Sequence, residues 1–163
     1  MRSPPSPDAE VRSNKAVKGV AQKMGRGDWE RLGMLYARLA LGAAFLSGIA
    51  DRFGLYSGRN VGYGNFAGFV VYTAKVNSFM PASTIPFLAW AATAAEFSLG
   101  LALVLGLWVP WAALGSALLL ILFGTAMAVS FGIKSPLDYS VFSASAAAFL
   151  VASYQTRKPD ASS

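Results

Sequence analysis

The chain has neither cysteine nor histidine among its 163 residues. The first absence excludes disulfides, thiol nucleophiles and thiolate metal sites. The second removes the commonest metal and haem ligand and the usual proton shuttle at neutral pH. Charge is scarce too: 13% of residues are Asp, Glu, Lys or Arg, well below the roughly one quarter of a soluble domain. No nucleophile elbow, Walker sequence or metal-spaced acid cluster occurs, and the scattered glycines make no phosphate loop. Autonomous catalysis is therefore disfavoured. Any redox chemistry must come from a bound cofactor or a partner chain.

What the chain does have is apolar sequence, 55% of it. Four stretches approach the roughly 20 residues that a membrane helix needs. Residues 32–50 form the first, interrupted by Arg38 and running on into Phe53. Residues 86–108 form the second, with Glu96 inside it. Residues 110–131 carry no charge, and residues 137–154 form the shortest stretch, rich in Ala and Ser. Pro86 and Pro110 stand where a helix starts, at a position that needs no amide proton. Trp108 and Trp111 flank the turn between the second and third stretches, as interfacial aromatics do. The fold class expected is all-α: a polytopic membrane four-helix bundle with short interfacial helices.

Basic residues set the expected orientation. Arg2, Arg12, Lys15, Lys18, Lys23, Arg26 and Arg31 precede the first span, and Arg157 and Lys158 follow the last. The opposite side receives Arg52, Arg59, Lys75 and Lys134. Both termini are thus expected in the cytoplasm, with the chain multi-pass in the inner (plasma) membrane and residues 51–85 and 132–136 outside. Small residues at Gly48-Ile49-Ala50 resemble a signal cleavage site, but the long leader and the Arg in the apolar run argue against cleavage. Residues 1–30 read as a cytoplasmic basic tail, residues 31–155 as the four-span domain and residues 156–163 as a second cytoplasmic tail. Within the first tail, residues 1–8 are Ser/Pro-rich. In residues 11–26, Val17, Val20, Ala21 and Met24 share one face and Lys15, Lys18, Lys23 and Arg26 the other. That pattern suits a helix lying on an anionic leaflet, and equally a solvated topology signal with no partner. It lacks the interleaved aromatics of a nucleic-acid binder, so no nucleic acid is expected.

Glu96 is the most informative residue. A carboxylate deep in an apolar span costs roughly 2.5–3.5 kcal/mol, so it is kept facing the bundle interior with a partner. Arg38, the one base inside an apolar stretch, is the partner expected. Counted from the inner ends of their spans, Arg38 lies roughly 9 Å deep and Glu96 roughly 16 Å deep, a gap that a guanidinium can largely cover. Both charges could equally anchor an anionic head group or a substrate. Helix contacts are expected through small residues: Ala40, Ala44 and Gly48 on the first span, Ala92 and Gly100 beside Glu96 on the second, and Ser140, Ala144, Ala148 and Ala152 on the fourth.

The loop of residues 51–85 is too long for a simple connector. After several glycines, Phe66, Phe69, Val70, Thr73 and Val76 recur at helical steps, which predicts an interfacial helix over about residues 65–79. Tyr56, Tyr63, Phe66, Phe69, Tyr72 and Phe79 could roof the bundle as a lid, bringing Asp51, Arg52, Asn60, Lys75 and Asn77 to an outer mouth. They could also be interfacial anchors only. Asp138, after Pro136, is expected to cap the fourth span.

An Arg early in the first span, Gly48 followed by a charged pair at its outer end, and Glu96-Phe97-Ser98-Leu99-Gly100-Leu101 leading to Leu105-Gly106-Leu107 together resemble the DoxX family over residues 34–155. These are small bacterial four-helix membrane proteins. The resemblance implies that Arg38, Arg52 and Glu96 occupy the family's polar positions. Some members of the wider group are subunits of a thiosulfate:quinone oxidoreductase, and others associate with redox enzymes. Where the family often has a basic residue after the second span, this chain has Val109-Pro110-Trp111. Three functions stay open: an accessory subunit of a membrane redox system, a small-molecule or proton-coupled binding or transport protein, and a structural or assembly factor. No intrinsic cofactor and no metal is expected; quinone is the cofactor that the resemblance implies. The partners expected are the lipid bilayer and a redox protein, with a homo-oligomer left open.

Overall fold

A computed structural model describes residues 25–156. The proposed surface helix of residues 11–26 and both terminal tails lie outside the described residues, apart from the first turn of the helix that begins at Arg26. Six helices follow in order: α1 (Arg26–Arg52), α2 (Phe66–Val76), α3 (Ile85–Leu105), α4 (Val109–Phe131), α5 (Lys134–Asp138) and α6 (Val141–Thr156). Single 3₁₀ turns stand at Gly58–Asn60 and Ala82–Thr84. No strand occurs among the described residues. Helices α1, α3 and α4 are long and apolar enough to cross a membrane, and α6 is a shorter apolar helix. The chain divides after Leu35 into two units. Of the first, the described part is the opening of α1, where Asp28 accepts a hydrogen bond from the Gly25 amide and sits at the positive end of the helix dipole.

Local chemistry explains the breaks in the second unit. Pro86 and Pro110 open α3 and α4. Gly106, at φ 76°, closes α3 in the left-handed conformation that glycine adopts freely, and the amides of Gly106 and Leu107 both reach the Ala102 carbonyl. The second span therefore stops at Leu105 rather than continuing to Trp108. The fourth apolar stretch becomes helical later than residue 137, because Ser140 at φ 55° separates α5 from α6. Asp138 does not cap α6. It pairs with Lys134 one turn earlier on α5, on the exposed surface.

Helices α1 and α3 run antiparallel with their backbones close together. A Cβ on Gly42 would sit 2.9 Å from the Gly100 carbonyl oxygen, and one on Gly100 would sit 3.0 Å from Phe45 Cβ. Two glycines are what this approach requires. The small-residue stripe expected on the first span is thus displaced: Ala40 and Ala44 are exposed, and Leu41, Gly42 and Phe45 form the buried face. On α3 the buried stripe is Ala89, Thr93, Glu96, Gly100 and Leu103, which includes the expected Glu96 and Gly100. Of the stripe on the fourth span, Ala148 and Ala152 are buried, whereas Ser140 is exposed outside α6. Ser145 ties α6 to α4 by donating to the Ala117 carbonyl at 3.1 Å, and Phe142 packs on Gly124.

This register has a consequence at the far end of the bundle. Gly48 faces Glu96 and Gly42 faces Gly100, so α1 ends level with Thr93. That is about 12 Å short of the start of α3 at 1.5 Å per residue. Helix α2 fills the space, packed on α3 and α4 near Trp90 and Ser130. Its start is capped by the Asn65 side chain, which accepts from the Gly68 amide, and its end is held by Ser130, which donates to the Val76 carbonyl at 2.6 Å. The predicted interfacial helix therefore exists, but it sits beside the ends of α3 and α4 instead of above the bundle.

Candidate functional site

Glu96 lies midway along α3 and is 4% exposed. Its partner is Arg52, the last residue of α1, rather than Arg38. Both carboxylate oxygens accept from Arg52 Nη2, at 2.8 and 2.7 Å. Arg52 Nη1 donates to Thr93 Oγ1 at 3.1 Å, and the Thr93 hydroxyl donates in turn to the Ala89 carbonyl at 2.8 Å. The guanidinium carbon lies 3.6 Å from the centroid of the Phe69 ring, a contact worth about 2 kcal/mol when desolvated. Arg52 is therefore enclosed by an acid, a hydroxyl and an aromatic face, with Nε left without an acceptor.

The glycine register explains why Arg38 is excluded. Its guanidinium lies against Gly106, where an added Cβ would meet Nη1 at 3.0 Å. Ten residues of α3 separate that level from Glu96, about 15 Å along the helix. Depths counted from the ends of apolar runs shrank this gap, because α3 stops at Gly106 and Arg38 stands level with its end. Among the described residues Arg38 has no hydrogen-bond acceptor for Nε.

Asp51, beside Arg52, holds the loop. Its carboxylate accepts from the amides of Gly62 and Tyr63, at 3.0 and 2.5 Å. Backbone amides turned from water need partners, and Asp51 supplies them for the segment before α2. Gly62 is required by the approach, since a Cβ there would lie 2.9 Å from an Asp51 oxygen.

Tyr63 is thereby set against Phe69 and Tyr72, at ring separations of 5.1 and 5.2 Å, and its ring centroid lies 5.9 Å from the Arg52 guanidinium carbon. Tyr63 also borders an open cavity of about 380 Å³, lined by Gly62, Tyr63, Gly68, Val71, Tyr72, Lys75 and Tyr139. Burial pushes the Tyr63 phenol up to about 12, with neighbouring Tyr72 adding to the effect. Burial also raises Tyr72, helped by Tyr139. Three tyrosines and one lysine thus line this space, and one of them, Tyr63, also lies beside Arg52.

The residues singled out in the sequence fall into separate places. Tyr63, Tyr72 and Lys75 line the cavity; Arg52 and Glu96 pair outside its lining, with Arg52 near Tyr63; Asp51 holds the Gly62 and Tyr63 amides. Tyr56 is apart, its hydroxyl 2.8 Å from Ser47 Oγ on α1. Asn77 closes α2 by donating to the Thr73 carbonyl. The Asn60 side chain lies outside what is described. Thr93, Phe69 as a cation–π partner and Tyr139 were not foreseen. Thr93 stands one turn before Glu96 on the same face, which is a usable signal; Tyr139 reaches the cavity by tertiary packing alone. Among the described residues no group of three or more acidic side chains could hold a metal ion.

Long apolar helices, a glycine-mediated helix contact and a buried ion pair define an α-helical membrane protein. The sequence model of the DoxX family matches residues 33–132, and the chain belongs to that family. The match takes in Arg38, Asp51, Arg52, Tyr63, Tyr72, Lys75 and Glu96, and stops before Tyr139 and α6. Comparison with curated proteins and with solved structures finds no match.

Proposed function

We propose that this DoxX-family protein is an accessory subunit of a membrane redox system, and that its outer cavity takes the head group of a quinone. The observation that carries the reading is the cavity wall. Tyr63, Tyr72, Tyr139 and Lys75 offer donors for carbonyl oxygens, and the same tyrosines offer ring faces for a flat conjugated ring. The volume of about 380 Å³ lies in the roughly 300–1,000 Å³ range of small-molecule pockets. A quinone bound there would supply two-electron, two-proton redox chemistry. The chain would bind and orient it, and the other electron carrier belongs to a partner, since the sequence holds no thiol and no imidazole.

Positive charge at both ends of the sequence supports an inner-membrane placement with both termini cytoplasmic. That topology takes α6, 16 residues long, as the fourth span. The test is mass spectrometry of the gently solubilised protein, identifying every quinone and polypeptide that remains bound. Wild type is expected to carry quinone and an oxidoreductase, with the quinone lost in Lys75→Met and Tyr72→Ala. A stable wild-type bundle carrying neither counts against the proposal.

One observation favours a second reading. Both oxygens of Glu96 are engaged by Arg52, and Arg52 is itself held by Thr93 and Phe69. Such a pair works as a permanent clamp between α1, α2 and α3, and a structural or assembly role follows from it. It suits a proton-coupled carrier less well, because that role needs the carboxylate to meet water.

A further inference from the structure

Arg38 is used by neither reading. It stands at the end of the bundle opposite the cavity, level with the last turn of α3, and a Cβ added at Gly106 would lie 3.0 Å from its Nη1. The partial negative charge of a helix C-terminus favours a cation there, yet none of the guanidinium donors meets an acceptor among the described residues, and Nε is buried without one. Next to it the chain holds an unusual tryptophan. Trp108 is 81% exposed and adopts φ 42°, the left-handed region that a bulky residue enters only at a cost. Trp111, one turn on, is 74% exposed. Two outward indoles at a helix end mark the height of a membrane–water interface, and Leu105 and Leu107 beside them are exposed and apolar.

We propose that Arg38, with Trp108 beside it, forms a binding site for the phosphate of an anionic phospholipid in the leaflet at the C-terminal end of α3. The guanidinium presents a planar set of donors that matches phosphate oxygens. Gly106, with no side chain, leaves room beside the guanidinium, where a Cβ would lie 3.0 Å from Nη1. The exposed leucines offer a surface for the acyl chains, which a free phosphate ion would not use. This site is independent of the quinone reading.

The full-length protein is reconstituted in nanodiscs containing equal amounts of phosphatidylglycerol and phosphatidylcholine, and the retained lipids are counted by native mass spectrometry. Wild type is expected to retain phosphatidylglycerol over phosphatidylcholine by about fivefold, the preference that one basic residue near an anionic surface supplies. Arg38→Gln is expected to return the ratio to that of the nanodisc, and Arg59→Gln, on the exposed outer loop, to leave it unchanged. No preference in wild type, an unchanged preference in Arg38→Gln, or loss of the bound lipid to excess inorganic phosphate each overturns the assignment. A photoreactive phosphatidylglycerol applied to wild type gives a check that needs no variant. Labelling of the segments carrying Arg38 and Trp108 supports the site; labelling confined to other segments overturns it.

Discussion

Arg52 and Glu96 lie 44 residues apart in the chain and 2.7 Å apart in space. The contact joins the end of one helix to the middle of another, because α1 stops about two turns short of the point where α3 begins. Phe69 of α2 then covers the guanidinium where more of α1 would otherwise have been. One ion pair therefore fixes three helices together.

Removing one charge leaves the other buried and uncompensated. Glu96→Gln is expected to destabilise the protein by about 3–5 kcal/mol, and Arg52→Met by a similar amount. The double variant has no stranded charge and is expected to recover at least half of that loss. Denaturant titration in detergent micelles gives the four stabilities of the cycle, whose coupling term isolates the pair. Additive single effects would mean that the two side chains do not depend on each other.

The glycines of α1 predict opposite signs. A methyl group at Gly42 meets the Gly100 carbonyl at 2.9 Å, so Gly42→Ala must push the helices apart and is expected to cost about 1–3 kcal/mol. At Gly48 the added carbon finds Glu96 Oε2 at 3.6 Å, an ordinary contact. Gly48→Ala is expected to be neutral or to stabilise by up to about 1 kcal/mol through helix propensity. The same unfolding measurement on both variants decides; equal losses would place the close contact elsewhere.

Glu96 was legible from the sequence because a lone carboxylate in an apolar run has few places to go. Its partner was not, because the choice between Arg38 and Arg52 depends on helix register. The Gly42–Gly100 approach sets that register, and alanine stripes at the same spacing hide it. Arg52 also follows the apolar run and reads as a loop residue. Helix α2 was legible from its 3.6-residue period and the Asn65 cap. Its packing beside the ends of α3 and α4 was not, since it follows from α1 ending early. The break at Ser140 was hidden for a different reason: a left-handed serine leaves no mark of the kind that Gly106 leaves.

Asp51 makes the loop before α2 testable on its own. With its two backbone partners lost in Asp51→Ala, the segment around Gly62 and Tyr63 has unsatisfied amides and is expected to open. Arg59 lies exposed in this loop, so limited trypsin digestion in detergent reads the opening directly. Cleavage after Arg59 is expected to be about tenfold faster in Asp51→Ala than in wild type, corresponding to about 1.4 kcal/mol of lost local stability. An unchanged rate would show that Asp51 does not fasten the loop.

Tyr63 gives the loop a pH signature. Burial lifts its phenol from the ordinary 10.0 to about 12, so the unfolded chain releases this proton first. Between those two values the unfolded state binds fewer protons than the folded one, and stability falls as pH rises. Below about 10 the residue is neutral in both states and adds no pH dependence. Phenolate absorbance near 295 nm, taken as the difference between wild type and Tyr63→Phe, is expected to show one tyrosine titrating near 12 in the folded protein and near 10 after denaturation. A folded-state midpoint near 10 would mean that the Tyr63 phenol is open to water, and that it is not buried against Phe69 and Tyr72.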